Sequence, residues 1–192
     1  MTEIREAVRA AYSAAAEDPH RKHPFPTGRA FAQSIGYTSE ALEGIPEECI
    51  DAFAGVSNIS MTAAIPPGAV VLDLGCGSGL DSLIAARRAG PSGRVLGVDF
   101  SAAMVNRAAA GLAKCGVHNV TFQRGDAEKL PVDDASVDVA LANGIFNLNP
   151  AREAIFRELA RVVRPGGAVY AAELILARAL PPAEQTATNW FA

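Results

Sequence analysis

Residues 68–79 read Gly-Ala-Val-Val-Leu-Asp-Leu-Gly-Cys-Gly-Ser-Gly, an apolar run that ends in three glycines spaced two apart. The apolar run predicts a buried parallel β-strand, and the glycines predict a sharp turn at its carboxyl end. Apolar residues at helical spacing then predict a helix that starts at Leu80 and stops before Gly90-Pro91. A second strand over 94–98 closes a strand-helix-strand unit, which ends at Asp99.

The glycines of this turn have a physical use. Because Gly75, Gly77 and Gly79 have no Cβ, the backbone can take unusual φ/ψ values there and come close to a bound ligand. The helix behind the turn offers free N–H donors at its start. At the end of the second strand, Asp99 can accept both hydroxyls of a ribose. The unit therefore predicts the nucleoside-binding half of an α/β protein with a Rossmann-like, doubly wound and mainly parallel sheet.

The spacing of the glycines separates two kinds of nucleoside cofactor. A dinucleotide-binding turn prefers Gly-x-Gly-x-x-Gly to seat a pyrophosphate, and Leu80 stands where its last glycine should be. S-adenosylmethionine (SAM) has no phosphate but carries an α-amino cation, which the carboxylate of Asp73 on the first strand would suit. The pattern favours SAM, or its product S-adenosylhomocysteine (SAH), and a nicotinamide-dependent oxidoreductase stays as the less favoured alternative.

These residues resemble the class I SAM-dependent methyltransferase family, and the resemblance runs from about residue 68 to about residue 176. Leu-Asp-Leu-Gly-Cys-Gly-Ser-Gly-Leu-Asp, followed by Gly-Val-Asp-Phe-Ser-x-x-Met, is most similar to the branch that holds arsenite methyltransferases and quinone-biosynthesis C-methyltransferases. The resemblance implies methyl transfer from SAM to a small-molecule acceptor. It places Met104 against the adenine ring, and an ordinary core methionine is the equal alternative. Together, motif and resemblance predict these cofactor-binding residues: Asp73, Gly75, Cys76, Gly77, Gly79, Asp99, Phe100, Met104, Gly125, Asp126, Ala127 and Asn143.

Two later segments end at the same edge of the predicted sheet. A strand over 119–123 leads into residues 125–127, where the Asp126 carboxylate can accept the exocyclic amine of adenine. An apolar strand over 137–142 delivers residues 143–148 near the point where strand order reverses, so we expect them to face cofactor and acceptor. The candidates on the acceptor side are Gly144, Phe146 and Asn147.

Residues 1–65 are predicted to form a helical lid on the substrate side of a SAM-binding domain over 66–192, within one structural domain. Apolar residues at helical spacing predict an amphipathic helix over 3–16. In the resembled family such a helix often lies over the cofactor, which makes Tyr12 a substrate-side candidate; simple packing of Tyr12 on the sheet stays open. The prolines between residues 18 and 36 argue against a long regular element there.

The acceptor is not identified by the sequence. Arsenite methyltransferases have a cysteine where this chain has Gly144, and often another in the segment that corresponds to residues 54–58, which contains none here. Since soft As(III) needs thiolates, these positions argue against arsenic as the acceptor. A carbon or oxygen acceptor can require a base, and no residue is assigned that role. The candidates for a base are His20, His23, Tyr12 and Glu173.

Composition narrows the class of protein further. A chain of 192 residues with 49% hydrophobic residues can bury one substantial core, and its net charge of −4 argues against a nucleic-acid partner. No apolar run is long enough to span a membrane and no signal-peptide pattern is present, so we expect a cytoplasmic protein. Cys49, Cys76 and Cys115 lack paired spacing, so neither a metal site nor a disulfide is predicted.

The last part of the sequence predicts a helix over 152–163, a fifth strand from 168 to about 176, and a helix opened by Pro181. The resembled fold has two more strands after that helix, which cover strand five. Without them strand five would be an exposed apolar edge, which is a pairing liability. We therefore expect either a shortened sequence or a homodimer through this edge, and a non-catalytic SAM-binding or oligomerising protein stays as an alternative.

Overall fold

The computed structural model describes residues 2–175 and Pro181. Its strands are β1 (Val70–Leu74), β2 (Arg94–Asp99), β3 (Val120–Arg124), β4 (Val137–Asn143) and β5 (Val163–Ala172). They form one sheet in the order β3-β2-β1-β4-β5, and neighbouring strands pair in parallel throughout. Strand order reverses between β1 and β4. The predicted α/β class with a Rossmann-like, doubly wound parallel sheet is confirmed.

Eight helices flank or precede the sheet in the part of the chain that the structure describes. They are α1 (Thr2–Glu17), α2 (Gly28–Ser34), α3 (Ser39–Leu42), α4 (Glu47–Asp51), α5 (Ile59–Thr62), α6 (Leu80–Ala89), α7 (Ala102–Leu112) and α8 (Arg152–Val162). A 3₁₀ turn follows β4 at Phe146–Leu148. None of the described helices is long and apolar enough to cross a membrane.

The helix boundaries follow local chemistry. α6 begins directly after Gly79, whose φ of 90° lies in the left-handed region, and its Gly90 C-cap has a φ of 71°. At the start of α7 the Ser101 hydroxyl accepts a hydrogen bond from the Met104 N–H at 3.3 Å and so caps the helix. The short α2 lies inside the proline-containing stretch where a long element was not expected.

Strand β5 differs from the prediction at both ends. It begins at Val163 instead of residue 168, because Gly166, with a φ of 83°, allows an irregularity in the pairing between β4 and β5. It ends at Ala172 instead of near residue 176. Among the described residues β4 is its one neighbour, so β5 lies at the edge of the sheet with Val169 44% exposed. Apart from Pro181 itself, the helix predicted to open there lies outside the described residues.

The core joins the N-terminal segment to the sheet. Tyr37 and Phe53 belong to the same buried cluster as Val71 of β1 and Leu83 of α6. A second cluster, on the side of α8, holds residues of β1 and β4 together with Ile155. The helices before β1 are therefore packed into the same hydrophobic core that supports the glycine turn after β1.

Candidate functional site

A cleft lies at the carboxyl end of β1, β2 and β4. This is the edge at which parallel α/β sheets bind ligands. Gly79 stands apart, because it packs beneath the turn against Phe122. The cleft is lined by the other eleven predicted cofactor residues: Asp73, Gly75, Cys76, Gly77, Asp99, Phe100, Met104, Gly125, Asp126, Ala127 and Asn143.

Asp99 joins the glycine turn to the start of α7. One carboxylate oxygen accepts from the Gly77 N–H at 3.0 Å, and the other accepts from the Ser101 N–H at 2.8 Å. Burial raises the pKa of Asp99 to about 6, and the two backbone donors oppose that rise. The carboxylate is therefore ionised at neutral pH and is held at the end of β2, where a ribose would need an acceptor.

Asp73 lies at the floor of the cleft and is almost completely buried. Its carboxyl accepts a hydrogen bond from the Ser82 hydroxyl at 2.5 Å. Burial raises the pKa of Asp73 to about 8, and the nearby charge of Asp81 adds to the effect. In the free protein this group is therefore mostly neutral at neutral pH, and a cation placed beside it would stabilise its ionised form.

We expect SAH binding to release protons from Asp73 below a pH of about 8, because the α-amino cation favours the carboxylate. Affinity should rise with pH up to about 8, by at most about tenfold per unit. Since the folded form holds this proton more tightly than the unfolded form, stability of the free protein should fall as pH rises from about 4 to about 8 and then level off. Calorimetric titration in buffers of different ionisation enthalpy measures the number of protons released. Asp73→Asn should abolish this proton release. The control Asp133→Asn, at an exposed position, should leave it unchanged. A binding enthalpy independent of the buffer would contradict this role.

Asn143 and Asp81 fasten the segment before α5 to the cleft. The Asn143 amide donates to Asp81 at 2.9 Å and to the Ser57 carbonyl at 2.7 Å, and its oxygen accepts from the Val56 N–H at 2.8 Å. The Tyr37 hydroxyl donates to the other Asp81 oxygen. Asp81 was not among the predicted site residues. The sequence feature that could have indicated it is an acid in the first turn of a buried helix. Asn143 borders the cleft while its amide is engaged with the N-terminal segment.

Arg5 of α1 closes the end of the cleft at Asp126. Its guanidinium contacts an Asp126 oxygen at 2.7 Å and Glu128 at 2.8 Å, while the other Asp126 oxygen accepts from the Glu128 N–H at 3.0 Å. Burial raises the pKa of Asp126, but the hydrogen bonds from Arg5 and the Glu128 N–H outweigh burial and lower it. Arg5 was missed by the sequence reasoning, and an adenine amine at Asp126 would share or replace its contact.

Replacing Arg5 with glutamine should make SAH dissociate about two- to fivefold faster, because a half-exposed ion pair contributes up to about 1 kcal/mol to keeping α1 closed. Stopped-flow measurement of SAH release tests this. The matched control is Arg9→Gln, at an exposed arginine of the same helix, which should leave the rate unchanged. Equal dissociation rates in the two variants would remove Arg5 from the closing contact.

The four acceptor-side candidates divide into two groups. Tyr12 and Gly144 line the cleft, whereas Phe146 and Asn147 do not. Phe146 turns towards α8 and stacks on Phe156 with ring centroids 4.7 Å apart, and the Asn147 side chain donates to the Leu174 carbonyl. Phe146 and Asn147 therefore contribute to the wall behind the cleft.

Tyr12 and Met104 each combine a packing role with a place in the cleft. The Tyr12 ring stacks on Phe25 at 4.5 Å between centroids, and burial raises its pKa, with smaller contributions from the charges of Asp99 and Glu173. Met104 is almost completely buried and belongs to a cluster that includes Phe25, yet it also lines the cleft. The alternatives that the sequence left open for these two residues are therefore compatible with each other.

The described residues hold no cluster of metal ligands. No group of three or more His, Cys, Asp or Glu side chains is placed to hold a metal ion in that part of the chain. All three cysteines are free thiols, and Cys76 is the one among them that lines the cleft. The cleft thus offers carboxylates, backbone amides, apolar walls and a single thiol.

Residues 65–192 match a family model described as a methyltransferase domain. An arsenite methyltransferase from Halobacterium salinarum is 36% identical over 150 residues, which are 78% of this chain and 38% of that protein. A demethylmenaquinone methyltransferase from Lactococcus lactis is 36% identical over 106 residues, which are 55% of this chain and 42% of that protein. The crystal structure of an arsenic(III) SAM methyltransferase from Chlamydomonas reinhardtii covers 80% of this chain and 51% of its own, with 31% identity and a TM-score of 0.62. The chain spans about half or less of the length of these relatives.

Proposed function

Because the chain belongs to the family of class I SAM-dependent methyltransferases, we propose that it transfers a methyl group from SAM to a small-molecule acceptor. One observation carries this proposal: three carboxyl groups line the same cleft, at the point in the sheet where strand order reverses. Asp73 suits an α-amino cation, Asp99 suits ribose hydroxyls and Asp126 suits an adenine amine. Their donor and acceptor chemistry therefore fits SAM, which supplies an electrophilic methyl group on a sulfonium when it is bound.

The protein's share of the reaction is binding, orientation and exclusion of water. Methyl transfer by in-line displacement needs the nucleophile held about 3 to 3.5 Å from the methyl carbon, and it requires no dedicated catalytic side chain. Of the four candidates for a base, Tyr12 is the one that lines the cleft. Its raised pKa keeps it protonated at neutral pH, so it serves as a hydrogen-bond donor to cofactor or acceptor.

The walls of the cleft indicate the class of acceptor. Beyond the cofactor residues, most side chains that line it are apolar, and a single described thiol, Cys76, faces the space. Since one thiol cannot supply the several thiolates that As(III) prefers, we propose an uncharged, largely apolar organic acceptor. The apolar residues concerned are Val8, Ala52, Phe53, Ala54, Leu74, Val98, Ile145 and Leu148.

Residues 1–65 are proposed as the lid and substrate-side segment, with 66–192 as the SAM-binding part. Support comes from the contacts of α1, whose Arg5 pairs with Asp126 and whose Ser13 hydroxyl lies 2.8 Å from that of Ser101. A helix held at two points can shield the cleft from water. The cytoplasmic location expected from composition stays a prediction.

A turnover assay tests the proposed function. The protein is incubated with methyl-labelled SAM and a panel of acceptors: apolar phenols and quinols, a polar carboxylic acid, and arsenite with thiol. We expect SAH formation with members of the apolar group and none with arsenite. Methylation of arsenite alone would overturn the proposed acceptor class. Tight SAH binding without methylation of any apolar acceptor, in this panel or in a larger one, would favour the non-catalytic alternative.

We further propose that two copies pair through the β5 edge. The support is an edge strand with exposed apolar residues on it or directly after it, Val169, Leu174 and Ile175, since such an edge offers unpaired backbone groups to another strand. Light scattering should give the mass of a dimer, and Val169→Lys on the exposed face should give a monomer. A monomeric wild-type protein would contradict the pairing.

A further inference from the structure

Glu173 directly follows β5, and its carboxylate binds the loop that follows β4. One oxygen accepts from the Ile145 N–H at 2.6 Å and from the Phe146 N–H at 2.5 Å. The other oxygen lies 3.4 Å from the Asn147 N–H. Three consecutive backbone donors therefore converge on one carboxylate, and hydrogen bonds to an ionised acceptor are about twice as strong as neutral ones.

This loop, residues 144–148, forms one wall of the cleft. Gly144 has a φ of 75° and donates its N–H to the Ala172 carbonyl at 2.9 Å, which ties the loop to β5 a second time. The Ile145 side chain covers the glycine turn so closely that a Cβ on Gly75 would lie 1.8 Å from its Cδ1. Any shift of the loop would therefore move Ile145 relative to the turn that the cofactor must contact.

Glu173 itself does not reach the reacting space. It is not among the described residues that line the cleft, whereas Gly144, Ile145 and Leu148 of the loop are. Both of its oxygens face backbone donors. A general base must lie within hydrogen-bond reach of the proton that it removes, and this side chain is directed into the loop instead.

We propose that Glu173 is a positioning residue, whose carboxylate fixes the 144–148 loop and so sets the wall that Ile145 and Gly144 present to cofactor and acceptor. The proposal rests on the proposed function for its consequence in turnover, but its structural part concerns three amide hydrogens and needs no cofactor. The sequence indicated Glu173 only as a candidate base. Its contacts with the loop could not be read from the sequence, because its partners lie 26 to 28 positions earlier in the chain.

The test compares Glu173→Gln with Glu173→Ala, because the glutamine carbonyl can still accept from the two nearest N–H groups. We expect Glu173→Ala to speed hydrogen exchange at residues 145–147 and to weaken SAH binding, each by about tenfold, as expected when amide donors lose their acceptor. Glu173→Gln should stay within about threefold of wild type in both. The matched control is Glu153→Ala, at an exposed acid of α8, which should change neither.

The outcomes separate the possible roles. A base at Glu173 would give a different result. Both variants would lose turnover equally, the acid limb of the pH profile of turnover would disappear, and hydrogen exchange at residues 145–147 would stay unchanged. That outcome would overturn the proposal. Rescue by glutamine with faster exchange in the alanine variant supports positioning, and circular dichroism shows whether the alanine variant keeps its fold. If the wild type binds no SAH, the proposed function fails while hydrogen exchange still decides whether Glu173 holds the loop.

Discussion

Replacing Asp99 with alanine is expected to weaken SAH binding by about 5- to 150-fold, because hydrogen-bond donors that lose a buried acceptor cost about 1 to 3 kcal/mol. In the structure this carboxylate also accepts the N–H groups of Gly77 and Ser101 at 3.0 and 2.8 Å. The variant should therefore lose stability as well as affinity, and its melting temperature should fall. Calorimetric titration and thermal unfolding measure the two effects separately.

Two further variants separate the role of Asp99 in binding from its role in folding. Asp99→Asn keeps one carbonyl acceptor, so it should retain more stability than alanine while still binding SAH more weakly than wild type. Asp133→Ala removes an exposed acid from a turn and should leave both quantities unchanged. If Asp99→Ala folds and binds SAH like wild type, Asp99 is not part of the cofactor site.

Replacing Gly79 with alanine should lower the free energy of unfolding by about 2 to 4 kcal/mol, the combined cost of a left-handed conformation and of overpacking. Gly79 has a φ of 90°, and a Cβ there would lie 2.6 Å from Cζ of Phe122 and 3.1 Å from Cβ of Ala108. Both neighbours pack beneath the start of α6. Chemical denaturation measures the loss of unfolding free energy, and the dependence of that free energy on denaturant concentration should stay unchanged.

Gly116→Ala is the matched control for the packing contribution. Gly116 also has a positive φ, of 64°, but a Cβ there would meet no heavy atom within 4 Å. This variant should lose only the conformational part, about 1 to 2 kcal/mol. Equal losses in the two variants would contradict the view that the glycine turn must lie this close to Phe122.

The strand-turn-helix unit could be predicted from the sequence because each of its signals is local. The apolar run of β1 and the left-handed glycines both act within a few residues, so periodicity and turn chemistry suffice. The same local logic placed Asp99 and Asp126 at strand ends. The site residues predicted in this way lie where the sheet brings strand ends together.

The contacts that were missed join residues far apart in the chain. Arg5 and Asp126 are 121 positions apart, and Glu173 meets its partners only through the pairing of β4 and β5. The direction of Phe146 was also beyond the sequence, because the 3₁₀ turn that carries it rotates its ring towards Phe156. The early start of β5 depends on an irregular pairing with β4, which no single-strand pattern reveals.

Calorimetric titration of this chain with SAH, beside a titration with NAD, tests the central claim most directly. The carboxylates of Asp73, Asp99 and Asp126 in one cleft predict micromolar binding of SAH, with proton release below a pH of about 8, and no binding of NAD. Binding of NAD without binding of SAH would contradict the assignment of this cleft to SAM.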